Sequence, residues 1–301
     1  MEIEFRAGYI AVMGRPNVGK STLINALLGQ KVAAVSPRPQ TTRKMQLGIL
    51  TRTDVQIVFV DTPGLHKPHH KLGYHMNQNA AEALEDADLI LFVVDGSDSP
   101  HDDDRILVDL LLELKKPPPV ILAINKIDRL EQSDLSAREA EFQELVPEAT
   151  PSQISASHGY YLNDLLNLLI AYMPKGEAFF PEDQVTDLYE REIAADLIRA
   201  AALLCLRDEV PHAIAIRVDE FTERGEKGVY IAATIFVERD SQKGIVIGSG
   251  AKMLKRIGIT ARLEIEKMSE RKVFLQLRVK VRKNWRDDEK ALRRFGYKSL
   301  K

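Results

Sequence analysis

A chain of 301 residues, 45% hydrophobic and 29% charged, has the balance of a soluble globular protein with room for two ordinary cores. Its single cysteine, Cys205, excludes a disulfide-built fold, and the absence of any apolar run of about 18 residues excludes a spanning helix. The net charge of -2 hides a division: Arg239 to Lys301 carries 19 Lys and Arg against 7 Asp and Glu, leaving 23 against 37 elsewhere. Such a basic tail predicts a partner of its own, either nucleic acid or an anionic membrane surface. The start "MEIEFRAGYIAVMG" lacks a signal-peptide layout, so a reducing, cytoplasmic setting is expected.

From the N-terminus, "GYIAVM", "VQIVFVD", "LILFVVD" and "VILAIN" read as buried strands. Between them "STLINALLG", "MNQNAAEALEDA" and "RILVDLLLELKK" carry helical spacing. Strands alternating with helices predict an α/β domain over residues 1–176, a mostly parallel sheet flanked by helices. Its ligands belong beyond the carboxyl ends of the strands. The segment "PKGEAFFPEDQVTD", 174–187, combines prolines, a glycine and acidic residues, and 177–187 reads as a linker.

Four motifs fall at those strand ends. Gly14, Arg15, Pro16, Asn17, Val18, Gly19, Lys20 and Ser21, followed by Thr22, fit G-x-x-x-x-G-K-[ST] between a strand and a helix. Backbone N–H groups and a helix N-terminus suit phosphates, Lys20 suits their charge, and the Ser21 hydroxyl suits Mg²⁺. Asp61, Thr62, Pro63 and Gly64 follow the second strand: the carboxylate is a second acidic partner for the metal, and Gly64 leaves its N–H open to a γ-phosphate. Asn125, Lys126 and Asp128 belong to "NKID", in which Asp128 accepts hydrogen bonds from guanine N1–H and its exocyclic amine. Ser155, Ala156 and Ser157 offer a backbone N–H to guanine O6. The four in this order point to GTP rather than ATP.

Beyond residue 188 the pattern changes. "LYEREIAADLIRAAALLCL" is a long helix, followed by the strand-like runs "HAIAIRVDEF" and "GVYIAATIFVER". A short helix in "GIVIGSGA", a helix over "KMLKRIGITARLEIEKM", a strand "KVFLQLRVKVR" and a basic last helix complete a small α+β domain over 188–301.

The first domain, taken with the second, resembles the bacterial Era family of GTPases over nearly the whole chain. The resemblance implies a P-loop domain followed by a type-2 KH domain, whose glycine loop between two helices clamps single-stranded RNA. In register, that loop falls on Gly248, Ser249, Gly250 and Ala251, with Lys252, Lys255 and Arg256 as phosphate contacts. Alanine replaces the last glycine, and Leu254 and Ile257 keep the apolar positions. Family likeness also implies Mg²⁺ held by Ser21, Asp61 and a threonine, Thr41 or Thr42, with Thr42 favoured by its place before Arg43. Asn17, Lys20, Thr42 and Gly64 are then the catalytic group.

Leu65 stands where many GTPases carry a water-orienting glutamine, so slow intrinsic turnover is expected. An asparagine at the position of Asn17 resembles GTPases that bind K⁺ beside the phosphates; a loop-bending role for Asn17 is the alternative. The resemblance implies as target the 3′ end of 16S ribosomal RNA during 30S maturation, with peripheral association with the inner membrane; a monomer is expected. A regulatory GTPase whose basic domain binds a membrane surface or protein partner is the rival reading. His66, His69 and His70 in "HKPHHK" read as a solvated loop, "DDD" at 102–104 as a helix start, and Trp285 as a packing residue rather than a stacking platform.

Overall fold

The computed structural model describes residues 4–34, 43–63, 70–225 and 228–297. These fall into two compact units, one built from residues up to 33, 43–63 and 76–187, the other from 188 onward together with 34 and 70–75.

The first unit is an α/β layer structure. In chain order it uses β1 (Arg6–Met13), α1 (Lys20–Leu28), β2 (Gln46–Thr51), β3 (Val55–Asp61), most of α2 (Lys71–Glu85), β4 (Leu89–Asp95), α3 (Asp102–Glu113), β5 (Val120–Asn125), α4 (Leu135–Gln143), β6 (Thr150–Gln153) and α5 (Leu162–Tyr172). The sheet order is β2-β3-β1-β4-β5-β6, parallel except for β2, which runs antiparallel to β3. Strand β2 is absent from the sequence reading because "QLGILT" lacks a long apolar run; pairing with β3 sets its conformation.

Both faces of the sheet are covered, which is why its strands are apolar throughout rather than alternating. Ile10 and Val12 pack into one core with Leu23, Ile24, Leu91 and Leu169. Ala11 and Met13 pack into the other with Phe92, Leu107 and Phe142. Past α5, residues 179–187 are tied to this unit. The Gln56 side chain, wholly buried, accepts from the Phe179 and Phe180 N–H groups and donates to Phe180 O, while Ile49 N–H donates to Val185 O.

The second unit contains α6 (Glu190–Cys205), β7 (Ala215–Glu223), β8 (Val229–Val237), α7 (Asp240–Ile247), α8 (Lys252–Ser269), β9 (Val273–Val281) and α9 (Glu289–Arg294). Its sheet order is β7-β8-β9, with β7 antiparallel and β9 parallel to β8. Leu197, Ile198 and Ala201 of α6, Ile231 and Ile235 of β8, and Ile257, Ala261 and Ile265 of α8 share one core. The α-β-β-α-α-β order matches expectation, but the short helix begins at Asp240, earlier than read, and stops at Ile247. Trp285 is fully buried, and its indole N–H donates to Ala213 O at 2.8 Å, so it packs and does not stack on a ligand.

Candidate nucleotide site and nucleic-acid surface

The strand ends of the first unit bring the four motifs to one edge of the sheet. Residues 14–19 connect β1 to α1, Asp61 closes β3, Asn125 closes β5, and Ser155 lies just beyond β6. A single buried side chain joins two of them. Asn125, 2% exposed, donates from Nδ2 to Val18 O at 2.8 Å and accepts the Ala156 N–H on Oδ1 at 2.9 Å. Gly19 makes room for this staple: it has φ 106°, and a Cβ there would lie 2.3 Å from Asn125 Nδ2.

Lys20 is buried at the start of α1, with Nζ donating to Gly14 O at 2.6 Å and Arg15 O at 3.2 Å. Burial pushes its pKa down to about 8, against the opposing pull of the Asp61 charge. Ser21 Oγ donates to Asp61 Oδ2 at 2.8 Å, and Asp61 is 1% exposed. A hydroxyl beside a buried carboxylate is a set of hard oxygen donors, which fits Mg²⁺. Thr62 turns inward instead, its hydroxyl donating to Val12 O at 2.8 Å.

Asn17 adopts φ 68°, a left-handed conformation that asparagine tolerates better than most residues, and its side chain is exposed. Arg43 is 3% exposed, and Arg15 Nε stands 3.3 Å from the Asp104 carboxylate. Thr41, Thr42, Gly64, Leu65, His66 and His69 lie outside the described residues.

Beyond β5 and β6, Ser155 Oγ donates to Asp128 Oδ1 at 2.5 Å, and His158 Nδ1 lies 3.5 Å from Asp128 Oδ2. Lys126, at φ 66°, places Nζ on the Asp95 carboxylate. Burial raises the Asp95 pKa, but hydrogen bonds from Lys126 and Ser97 outweigh it and hold the carboxyl below its usual range. Asp95 and His158 escaped the sequence reading. Asp95 ends an apolar strand with no motif around it, and His158 follows the serine motif without belonging to it, its Nδ1 3.2 Å from Ser155 Oγ and 3.1 Å from Ser157 Oγ.

In the second unit, Gly248 (φ 71°), Gly250 (φ 57°) and Ala251 (φ 59°) all have positive φ. Ala251 therefore keeps the backbone form for which a glycine would be the default. A Cβ at Gly248 would stand 2.7 Å from Met253 Cβ, so the α7-to-α8 turn requires that glycine. Lys252, Lys255 and Arg256 are exposed at the start of α8. A groove of about 390 Å³ runs between α8 and β9, walled by Ala251, Leu254, Lys255, Arg262 and Leu277. Ile257 faces the core, completely buried.

No metal-ligating cluster of His, Cys, Asp or Glu occurs among the described residues. His70 contacts Asp287 at 3.4 Å within the second unit. No helix of the described residues is long and apolar enough to cross a membrane.

A P-loop fold carried in one chain with a KH-type module defines a GTPase with a nucleic-acid-binding domain. The family described as 50S ribosome-binding GTPase matches residues 9–126, and the KH domain family matches 209–286. The GTPase Era of Halothermothrix orenii is 44% identical over 98% of this chain and 100% of its own length. That of Geobacter metallireducens is 45% identical over 97% and 98%. The crystal structure of Era with MgGDPNP and nucleotides 1506–1542 of 16S ribosomal RNA superposes at a TM-score of 0.91, with 38% identity, covering 97% of this chain and 99% of that one. A point variant of Aquifex aeolicus Era bound to GDP·AlF4⁻ gives the same TM-score of 0.91 and 38% identity, over the same shares of both chains. The chain belongs to the Era family of GTPases.

Proposed function

We propose that this GTPase is a nucleotide-switched clamp on single-stranded RNA, acting on the 3′ end of 16S ribosomal RNA in assembly of the 30S subunit. The observation that carries the reading is the second unit's groove between α8 and β9, entered past a positive-φ loop despite Ala251. Exposed backbone and three cations at the head of α8 suit phosphates, and the apolar wall suits bases. The Era structure holding 16S nucleotides supplies the target. Residues 1–176 form the GTP-binding part and 188–301 the RNA-binding part.

In the nucleotide site the residues act by binding and orientation. Gly14 to Thr22 cradle the phosphates, Lys20 neutralises them, and Asp128 with Ser155 selects guanine. Ser21 and Asp61, joined by Thr42, would hold Mg²⁺, which supplies charge neutralisation at the phosphates. Asn17 offers a side-chain carbonyl to K⁺. Support comes from its exposure and from the commitment of Arg15 to Asp104 and the burial of Arg43, which leave neither arginine poised as a finger. Turnover in K⁺ should exceed turnover in Na⁺ at equal ionic strength; equal rates would reassign Asn17 to loop shape alone.

The deciding experiment titrates RNA matching the 16S 3′ end, and a scrambled strand, across a salt series with protein in GTP-analogue, GDP and empty forms. Sequence-dependent binding favouring the GTP form is expected. Weak binding indifferent to sequence and nucleotide would overturn the clamp. Sedimentation with anionic vesicles would then decide whether the basic domain sits at the inner face of the membrane.

A further inference from the structure

The phosphate loop has a neighbour that no motif contains. Asp104 lies in the first turn of α3 with 0% exposure, and its Oδ2 accepts the His101 N–H at 3.0 Å. The same oxygen lies 3.3 Å from Arg15 Nε, whose side chain is 16% exposed. Arg15 is the second residue of the phosphate loop, and its carbonyl accepts from Lys20 Nζ at 3.2 Å. Loop, lysine and α3 therefore meet at one arginine.

A capping role alone leaves the charge of Asp104 unexplained. The His101 N–H needs only an acceptor, which an asparagine also provides. Burying a carboxylate is unfavourable: desolvation raises the Asp104 pKa, opposed by the His101 N–H and the Arg15 charge. What an ionised group adds over a neutral acceptor is attraction for the guanidinium.

We propose that Asp104 is a positioning residue for GTP binding and hydrolysis, holding the phosphate loop in its working shape through Arg15 and keeping that arginine off the phosphates. The loop's peptide N–H groups can converge on phosphate only if the chain on either side of Asn17 is fixed. Asn125 fixes it at Val18, and the Arg15–Asp104 pair fixes it at the opposite flank. Both anchors come from neighbouring parts of the fold, so α1 and β1 alone do not define the loop.

This inference rests on the reading of residues 14–22 as the phosphate site, and the test separates the two. Asp104→Asn, Arg15→Gln and the double variant are compared with the unaltered protein for fluorescent-GDP release and single-turnover GTP hydrolysis, with thermal melting as a folding control. Each single variant is expected to release GDP about tenfold faster, and the double variant no faster than either, as for residues acting as one unit. Single-turnover hydrolysis at saturating GTP should fall in parallel in all three. Additive effects, or GDP release and hydrolysis within twofold of wild type while melting falls, would overturn the positioning role and leave Asp104 a helix cap. If Asp104→Asn does not fold, Arg15→Gln alone decides, since its unchanged GDP release would also overturn it. Failure of the unaltered protein to bind guanine nucleotide would refute the phosphate-loop reading itself.

Discussion

The proposed nucleotide site and the proposed RNA groove are built by opposite means. In the first unit Lys20, Asp61, Asn125 and Ser155 are all buried, and Asn125 reaches two loops at once. The groove of the second unit is open, with Lys252, Lys255 and Arg256 in solvent and its walls formed by α8 and β9, Ala251 included. A buried paired network discriminates because a wrong ligand leaves a polar group without a partner. An open cationic surface gains affinity from counterion release and discriminates little.

The contrast is tested most severely at Asp128. Asp128→Ala should lower GTP affinity by roughly four orders of magnitude, the scale on which a site built to hydrogen-bond a ligand rejects one that cannot reciprocate. A loss under tenfold would break the claim that pre-paired groups set specificity. Trp285→Ala should destabilise the second unit by about 3–5 kcal/mol, as large buried side chains do when truncated. Chemical denaturation measures it, and a stable variant with weakened RNA binding would instead make Trp285 part of the ligand surface.

Lys20 sharpens the comparison through pH. Its pKa of about 8 lies below the ordinary 10.5, so the unfolded chain holds more protons between those values. The nucleotide-free protein should therefore gain stability from Lys20 as pH rises from about 8 toward 10.5. Phosphates favour the charged amine, so GDP binding near pH 9 should take up a proton, measurable by calorimetry in two buffers of different ionisation enthalpy. Binding without uptake would mean the lysine is already charged in the free protein.

Smaller effects belong to the open site. Ala251→Gly should stabilise the protein by about 1 kcal/mol, the cost of a left-handed non-glycine residue, with RNA binding equal or tighter. Weaker RNA binding would show that the methyl group contributes to the surface. Lys255→Ala should weaken all RNA sequences alike and reduce the slope of log K against log salt by about 1. A sequence-selective loss would move Lys255 from phosphate contact to base reading.

Much of this was legible in the chain itself. The spacing of Gly14, Gly19, Lys20 and Ser21 is the one that close backbone approach to phosphate would ask for, and that of Asn125 to Asp128 the one guanine's edge would, so these motifs show in the chain without any structure. The apolar runs ending at Asp61, Asp95 and Asn125 announce a covered parallel sheet, since strands buried on both faces cannot alternate. Strand β2 was hidden because it forms by pairing with β3, and the start of α7 because Asp240 to Lys243 carry no apolar period. Asp104 reads in the sequence as one of three helix-start carboxylates, and only the packing of α3 distinguishes it from Asp102 and Asp103.

By itself, then, the sequence determined the ligand chemistry and the order of elements, because motif spacing and hydrophobic period are local properties of a chain. The tertiary structure decided which polar groups are buried, and with whom. It turned Arg15 toward Asp104, joined Val18 to Ala156 through Asn125, sealed Trp285 in a core and held Ala251 at a glycine's φ. Burial and pairing depend on residues far apart in the chain, and no local pattern encodes the distance between them.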